Sequence, residues 1–201
     1  CLSFLTNIAY CSNINEYVDN RILQKRKGRK MMEQMEYIYP ENKVEMYELL
    51  QQQLKAILDG ESDVIANLSN VSAILNGALK EINWVGFYLM KNGSLILGPF
   101  QGKLACVHIE IGRGVCGTAV KEERTQLVDD VHVFPGHIAC DSASNSEIVV
   151  PLKKDGKILG VLDIDSPKLA RFDKEDQIHL EKIAEILVQA CDWSKCGGYD
   201  F

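Results

Sequence analysis

The chain has 201 residues, 46% of them hydrophobic and 25% charged, with a net charge of -6. That length holds one ordinary domain with a sizeable core plus an extension, and leaves little room for two full domains. The acidic balance argues against a general nucleic-acid binder, which needs basic surface to neutralise phosphates, and favours a small-molecule or protein partner.

No apolar run approaches the ~20 residues needed to cross a bilayer. The opening stretch lacks the basic segment and small-residue cleavage site of a signal peptide. Seven cysteines with no close-spaced framework suit a reducing compartment, where thiols pack or react. The expectation is a cytoplasmic protein.

Residues 1–30 carry six basic residues against Glu16 and Asp19, a net of +4 that leaves -10 for the remainder. This asymmetry marks residues 1–30 as an extension outside the domain. The domain is expected over 31–196, starting near Met31, with 197–201 as a tail. A short basic cluster can also serve targeting or nucleic-acid contact, but such clusters are common and unspecific.

From Val44 to Asp59, Met46, Leu50, Leu54, Ile57 and Leu58 fall at helical spacing, and Gly60 ends the segment. Ser62 is expected to cap a second helix whose stripe is Val64, Ile65, Leu68, Val71, Leu75 and Leu79. The period then changes. "NWVGFYLMKNGSLILG" places two apolar runs around Asn92 and Gly93, a hairpin signal. In the first run Val85, Phe87 and Leu89 share the core face. Trp84, Gly86 and Tyr88 share the other, where Gly86 leaves room between two rings, as in a pocket wall.

Further strands are expected at Cys106–Ile111, Glu147–Leu152 and Ile158–Asp165, the last two joined through Lys154, Asp155 and Gly156. A short helix surrounds Cys116, and a last helix begins near Asp173 and buries Leu180, Ile183, Leu187 and Ala190. This order reads as α+β, a central antiparallel sheet covered by N- and C-terminal helices.

Three cysteines, Cys106, Cys116 and Cys140, fall in the middle of the chain. Their spacings fit no zinc pattern, although His108, His132 and His137 could still complete a metal site in space. Cys116 suits a packed helix. Cys140 is different: Asp141, Ser142 and Ser144 are poor core material, so its thiol is expected to be accessible. Cys191 reads as packing and Cys196 as part of a loose end.

Asp163 and Asp165 in "ILGVLDIDSP" share one strand face with Val161 and Leu159, and two carboxylates there must be solvated, paired or used. Glu147, heading the neighbouring strand, adds a third nearby.

"NWVGFYL", "LGPFQGKLAC", "GRGVCGTAV", "DVHVFPGHIACDSASNSEIVVPL" and "GVLDIDS" together resemble the free methionine-(R)-sulfoxide reductases, single-domain enzymes with a GAF fold. The likeness runs from about Val44 to Asp192. It implies that Cys140 is the catalytic cysteine, Cys106 the main resolving cysteine and Cys116 a third that assists. It also implies that Trp84 and Tyr88 form the aromatic pocket and that Glu147, Asp163 and Asp165 hold the substrate.

The implied reaction explains these residue types. A carboxylic acid polarises the sulfoxide oxygen, the Cys140 thiolate attacks sulfur, and methionine leaves a sulfenic acid that a second thiol converts to a disulfide. The family implies recycling by thioredoxin, no bound metal or organic cofactor, no nucleic-acid or membrane partner, and pairing of GAF domains into a homodimer through their terminal helices. The rival readings are a GAF module that binds a small molecule without turnover and a thiol redox sensor.

Overall fold

The computed structural model describes residues 39–136 and 142–200. The expected domain start near Met31, and both His137 and Cys140, lie outside the described residues.

Two helices open the described chain, α1 (Lys43–Leu58) and α2 (Val64–Ala78). α1 starts where the Asn42 side chain accepts from the Glu45 amide, and α2 where Asp63 accepts from Ala66. The expected cap was Ser62; Asp63 takes the position because its carboxylate is a strong acceptor one residue nearer the first turn. Ile65 also departs from the expected stripe and is exposed.

The sheet follows: β1 (Trp84–Lys91), β2 (Ser94–Gly102), β3 (His108–Ile109), β4 (Gln126–Val128), β5 (Ser146–Lys154) and β6 (Lys157–Ser166). Helix α3 (Gly114–Glu122) lies between β3 and β4, and α4 (Lys174–Ala190) follows β6. The strand order is β3-β2-β1-β6-β5-β4, with every neighbouring pair antiparallel. Both expected hairpins form. Their turns put Asn92 and Gly93, and Asp155 and Gly156, at positive φ, which is why these residues occupy them.

The pleat divides the core in two. Val85, Phe87, Leu89, Ile148, Val150, Leu162 and Ile164 face α1, α2 and α4. Trp84, Tyr88, Val149 and Val161 face α3 on the other side. The terminal helices therefore cover one face, and the short α3 covers the second.

Three local irregularities depart from simple alternation. Opposite Phe87, β2 places two residues, Gly98 and Pro99, in a bulge that accommodates a proline unable to donate to the ladder, and β2 continues to Gly102. A second bulge beside Leu152 turns Leu159 to the face opposite Val161, although strict alternation would put both together. The strand expected over Cys106–Ile111 shrinks to His108–Ile109. The Cys106 carbonyl is taken by the Tyr88 hydroxyl at 3.0 Å, and Gly112 at φ +82 already turns the chain toward α3.

The chain end is anchored. The Gly93 amide donates to Asp200 Oδ2 at 2.8 Å, the Asp200 amide to the Met90 carbonyl at 3.0 Å, and Lys91 lies over the Tyr199 ring. Cys196, expected in a loose end, is partly buried against the first core. Among the described residues no helix is long and apolar enough to cross a membrane.

Candidate active site

Register alone places the acidic residues and the aromatic residues side by side. β6 lies between β1 and β5, so Asp165 is flanked by Trp84 and Glu147, and Asp163 by Gly86 and Val149. All of these side-chain positions face α3. They line one pocket together with Tyr88, Cys116, Ser144 and the first turn of α3.

The aromatic wall is preorganised. Trp84 stacks between Tyr88 and Phe100, with ring centroids 5.9 and 5.3 Å away. Gly86 makes this possible, since a Cβ there would sit 2.3 Å from Phe100 Cβ and 2.7 Å from Trp84 Cη2. The polar tips of the rings also hold the segment that carries Cys106: Trp84 Nε1 donates to the Lys103 carbonyl at 3.2 Å, as the Tyr88 hydroxyl does to Cys106.

The pocket floor is acidic and buried. Glu147 and Asp163 are each only 6% exposed and Cys116 only 4%. Burial, then the charges of Asp163 and Asp165, push Glu147 well above the usual carboxylate range. Burial raises Asp163 to about 6 against the pull of hydrogen bonds from Cys116 and Glu147. Glu147 therefore holds a proton and hydrogen-bonds Asp163. Asp163 Oδ1 has no hydrogen-bond partner among the described residues. Burial and the same two acids raise the Cys116 thiol well above its ordinary value, so it stays protonated.

Ligand atoms of Cys116, Glu147 and Asp163 lie within 4.8 Å of one another. No histidine joins this group among the described residues, and His132, expected as a possible member, instead contacts Asn145 Oδ1 at 2.9 Å. A cation here would have to displace the proton that Glu147 and Asp163 share.

The sequence-derived residues fall in three groups. Trp84, Tyr88, Glu147, Asp163, Asp165 and Cys116 come together in the pocket. Cys106 lies beside it on the Tyr88-tethered segment and is disulfide-bonded, whereas Cys116, Cys191 and Cys196 are free. Cys140, assigned the central role, is also outside them. Ser144, counted as poor core material, is in fact buried, and its Oγ accepts from Asn83 Nδ2 at 3.0 Å.

Sequence reading missed Arg113, Gly114 and Val115, which form the pocket wall facing the sheet. The available signal was "GRG", two glycines around an arginine just before a helix; Gly112 and Gly114 both take positive φ there.

The GAF domain family profile matches residues 70–192. The chain is 51% identical over 157 residues to the free methionine-R-sulfoxide reductase of Escherichia coli, covering 77% of this chain and 95% of that one. The fRMsr of Staphylococcus aureus in its reduced form is 60% identical with a TM-score of 0.71, covering 73% of this chain and 95% of that one. The same protein solved in complex with substrate is 57% identical, also with a TM-score of 0.71, covering 78% and 99%.

Proposed function

This chain belongs to the GAF domain family and, within it, to the free methionine-R-sulfoxide reductases, and from that membership we propose that it reduces free L-methionine (R)-sulfoxide to methionine. The observation that carries the proposal is the buried carboxyl pair Glu147 and Asp163 on the floor of a pocket walled by Trp84 and Tyr88, where burial pushes both groups above the usual carboxylate range.

Each part of the pocket answers a need of the substrate. The aromatic rings take the S-methyl end, and the carboxyl groups of Asp163 and Asp165 take the ammonium. Glu147 donates its proton to the sulfinyl oxygen, which makes the sulfur electrophilic. The Cys140 thiolate attacks sulfur. That attack forms a transient S–S bond; this bond and the substrate's S–O bond then break as the hydroxyl passes to Cys140, so that methionine leaves and Cys140 is left as a sulfenic acid. The sulfoxide is thereby reduced by two electrons and the cysteine oxidised by two.

The Cys106 thiol then condenses with the sulfenic acid, forming a disulfide and releasing water. Thioredoxin, a dithiol, restores both cysteines by exchange. The disulfide at Cys106 supports the resolving role, and the raised pKa of Cys116 makes it the slower alternative. Because thiols supply the electrons, the proposed cycle needs no metal or organic cofactor.

The test is reduction of separated epimers, free and peptide-bound, with thioredoxin as reductant. The free (R) epimer is expected to turn over, Cys140→Ser to abolish that activity, and Cys106→Ser to release about one methionine per enzyme and then stall. Turnover confined to the (S) epimer or to peptides, or unchanged steady-state rates in both variants, would reject the proposal.

A further inference from the structure

Disulfide formation makes a geometric demand of its own, because the Cys106 sulfur must meet a sulfenic acid on another part of the chain. We infer that the Tyr88 hydroxyl and the Trp84 indole N–H are positioning groups for Cys106, so that the two rings walling the pocket also set the resolving step. This deepens the reading of Cys106 given above and rests on it.

Cys106 lies on residues 103–107, between the end of β2 at Gly102 and the start of β3 at His108. This stretch belongs to no strand, and the side chains of Leu104 and Val107 are exposed, so packing holds it only in part. Its carbonyls are held instead. Trp84 Nε1 donates to the Lys103 carbonyl at 3.2 Å and Tyr88 Oη to that of Cys106 at 3.0 Å, while the Leu97 amide donates to Val107 at 2.9 Å.

The two ring donors are themselves fixed. Both rings are buried, and they stack with centroids 5.9 Å apart. Burial, then the charge of Asp163, push the Tyr88 phenol well above its ordinary value, so it stays protonated and donating. Gly102 brings the chain against the indole, since a Cβ there would lie 2.5 Å from Trp84 Cδ1. A hydrogen bond to the carbonyl of Cys106 itself fixes the backbone from which the sulfur projects, which leaves rotation about χ1 as its main freedom.

In the step so positioned, the Cys106 sulfur displaces the hydroxyl of the sulfenic acid. The S–S bond forms, the sulfenic S–O bond breaks, and the thiol proton leaves with the oxygen as water. No outside oxidant or reductant takes part, so the rate depends on how often the two sulfurs meet in line. Loss of a tether lengthens the life of the sulfenic acid.

The test follows a single turnover of L-methionine (R)-sulfoxide by the reduced full-length protein, without thioredoxin and with dimedone, a 1,3-diketone that captures sulfenic acids. Mass spectrometry of Cys140 reads the dimedone concentration that diverts half of the molecules from the disulfide. Both reactions consume the same sulfenic acid after methionine has left, so this concentration does not depend on substrate binding or on the rate of methionine release. Tyr88→Phe keeps the ring and removes the hydroxyl, and is expected to lower the concentration roughly five- to tenfold, the effect of one hydrogen bond. Phe100→Leu loosens the same stack from the other side of Trp84 without removing either donor. It is expected to shift the concentration by less than about twofold. An unchanged concentration in Tyr88→Phe, no capture in that variant, or an equal shift in Phe100→Leu would overturn the inference. Absence of methionine release from the parent protein would instead reject the reduction itself, and the two failures are read from different products.

Discussion

The proton shared by Glu147 and Asp163 has a measurable consequence for stability. An aspartate titrates near 3.9 in an unfolded chain, whereas burial brings Asp163 to about 6 in the fold. The fold thus favours the neutral acid: its contribution is full below about pH 4 and is lost as pH rises through about 6. Glu147, raised further by burial and two neighbouring acids, loses its contribution at still higher pH. Asp163→Asn removes the ionisation while keeping the shape. It is expected to be more stable than the parent at pH 8, on the order of 2 kcal/mol, and close to it at pH 4, as urea unfolding at the two pH values will read. A variant less stable than the parent at pH 8 would contradict the buried-acid picture.

At the scale of elements, the close approach at Gly86 sets the pocket and one ionic latch ties the helices. Gly86→Ala must push either Phe100 or Trp84 aside. The expected cost is about 1–3 kcal/mol, with a raised KM because the aromatic wall shifts; a neutral effect on both would show that the wall is not preorganised by this glycine. On the other face, fully buried Asp176 accepts from Tyr47 Oη and Lys43 Nζ at 2.8 Å and faces Arg171 at 3.4 Å, tying α1 to the start of α4. Asp176→Ala leaves buried donors unpaired and is expected to destabilise by about 3–5 kcal/mol in thermal or denaturant unfolding, while Lys43→Ala, at a half-exposed partner, costs less.

These elements also mark where the sequence stopped being legible. The periods of 3.6 and 2 revealed α1, α2, α4 and the two hairpins, because each buries one face of a regular element. They could not reveal the bulges at Phe87 and Leu159, which depend on how neighbouring strands pair. Nor could they shorten β3, before which the Cys106 carbonyl is captured by a side chain from β1.

For the whole molecule, the sheet separates two tasks. One face carries the larger core under α1, α2 and α4; the other carries the pocket under α3. On the proposed function, stability and chemistry lie largely on opposite sides, and Asp176→Ala should lower stability with little change in KM of the folded fraction. We further propose that residues 1–30 lie outside the catalytic domain. Their removal is expected to leave kcat/KM for the free (R)-sulfoxide within about twofold, measured with thioredoxin in excess, and a large loss would place them in the enzyme.

The linear order of residues was enough to establish an α+β domain, its regular helices and hairpins, and an aromatic and acidic residue set, because side-chain periodicity and turn chemistry are local. Kinship to a family followed from several long segments in fixed order. Only the folded arrangement decided that β6 sits between β1 and β5, setting Trp84, Asp165 and Glu147 in one row. It also buried Cys116 against the acids and brought Arg113, from a segment with no period of its own, to the facing wall. Desolvation and mutual charge act through space, so the proton on Glu147 is a property of that juxtaposition and of no stretch of sequence alone.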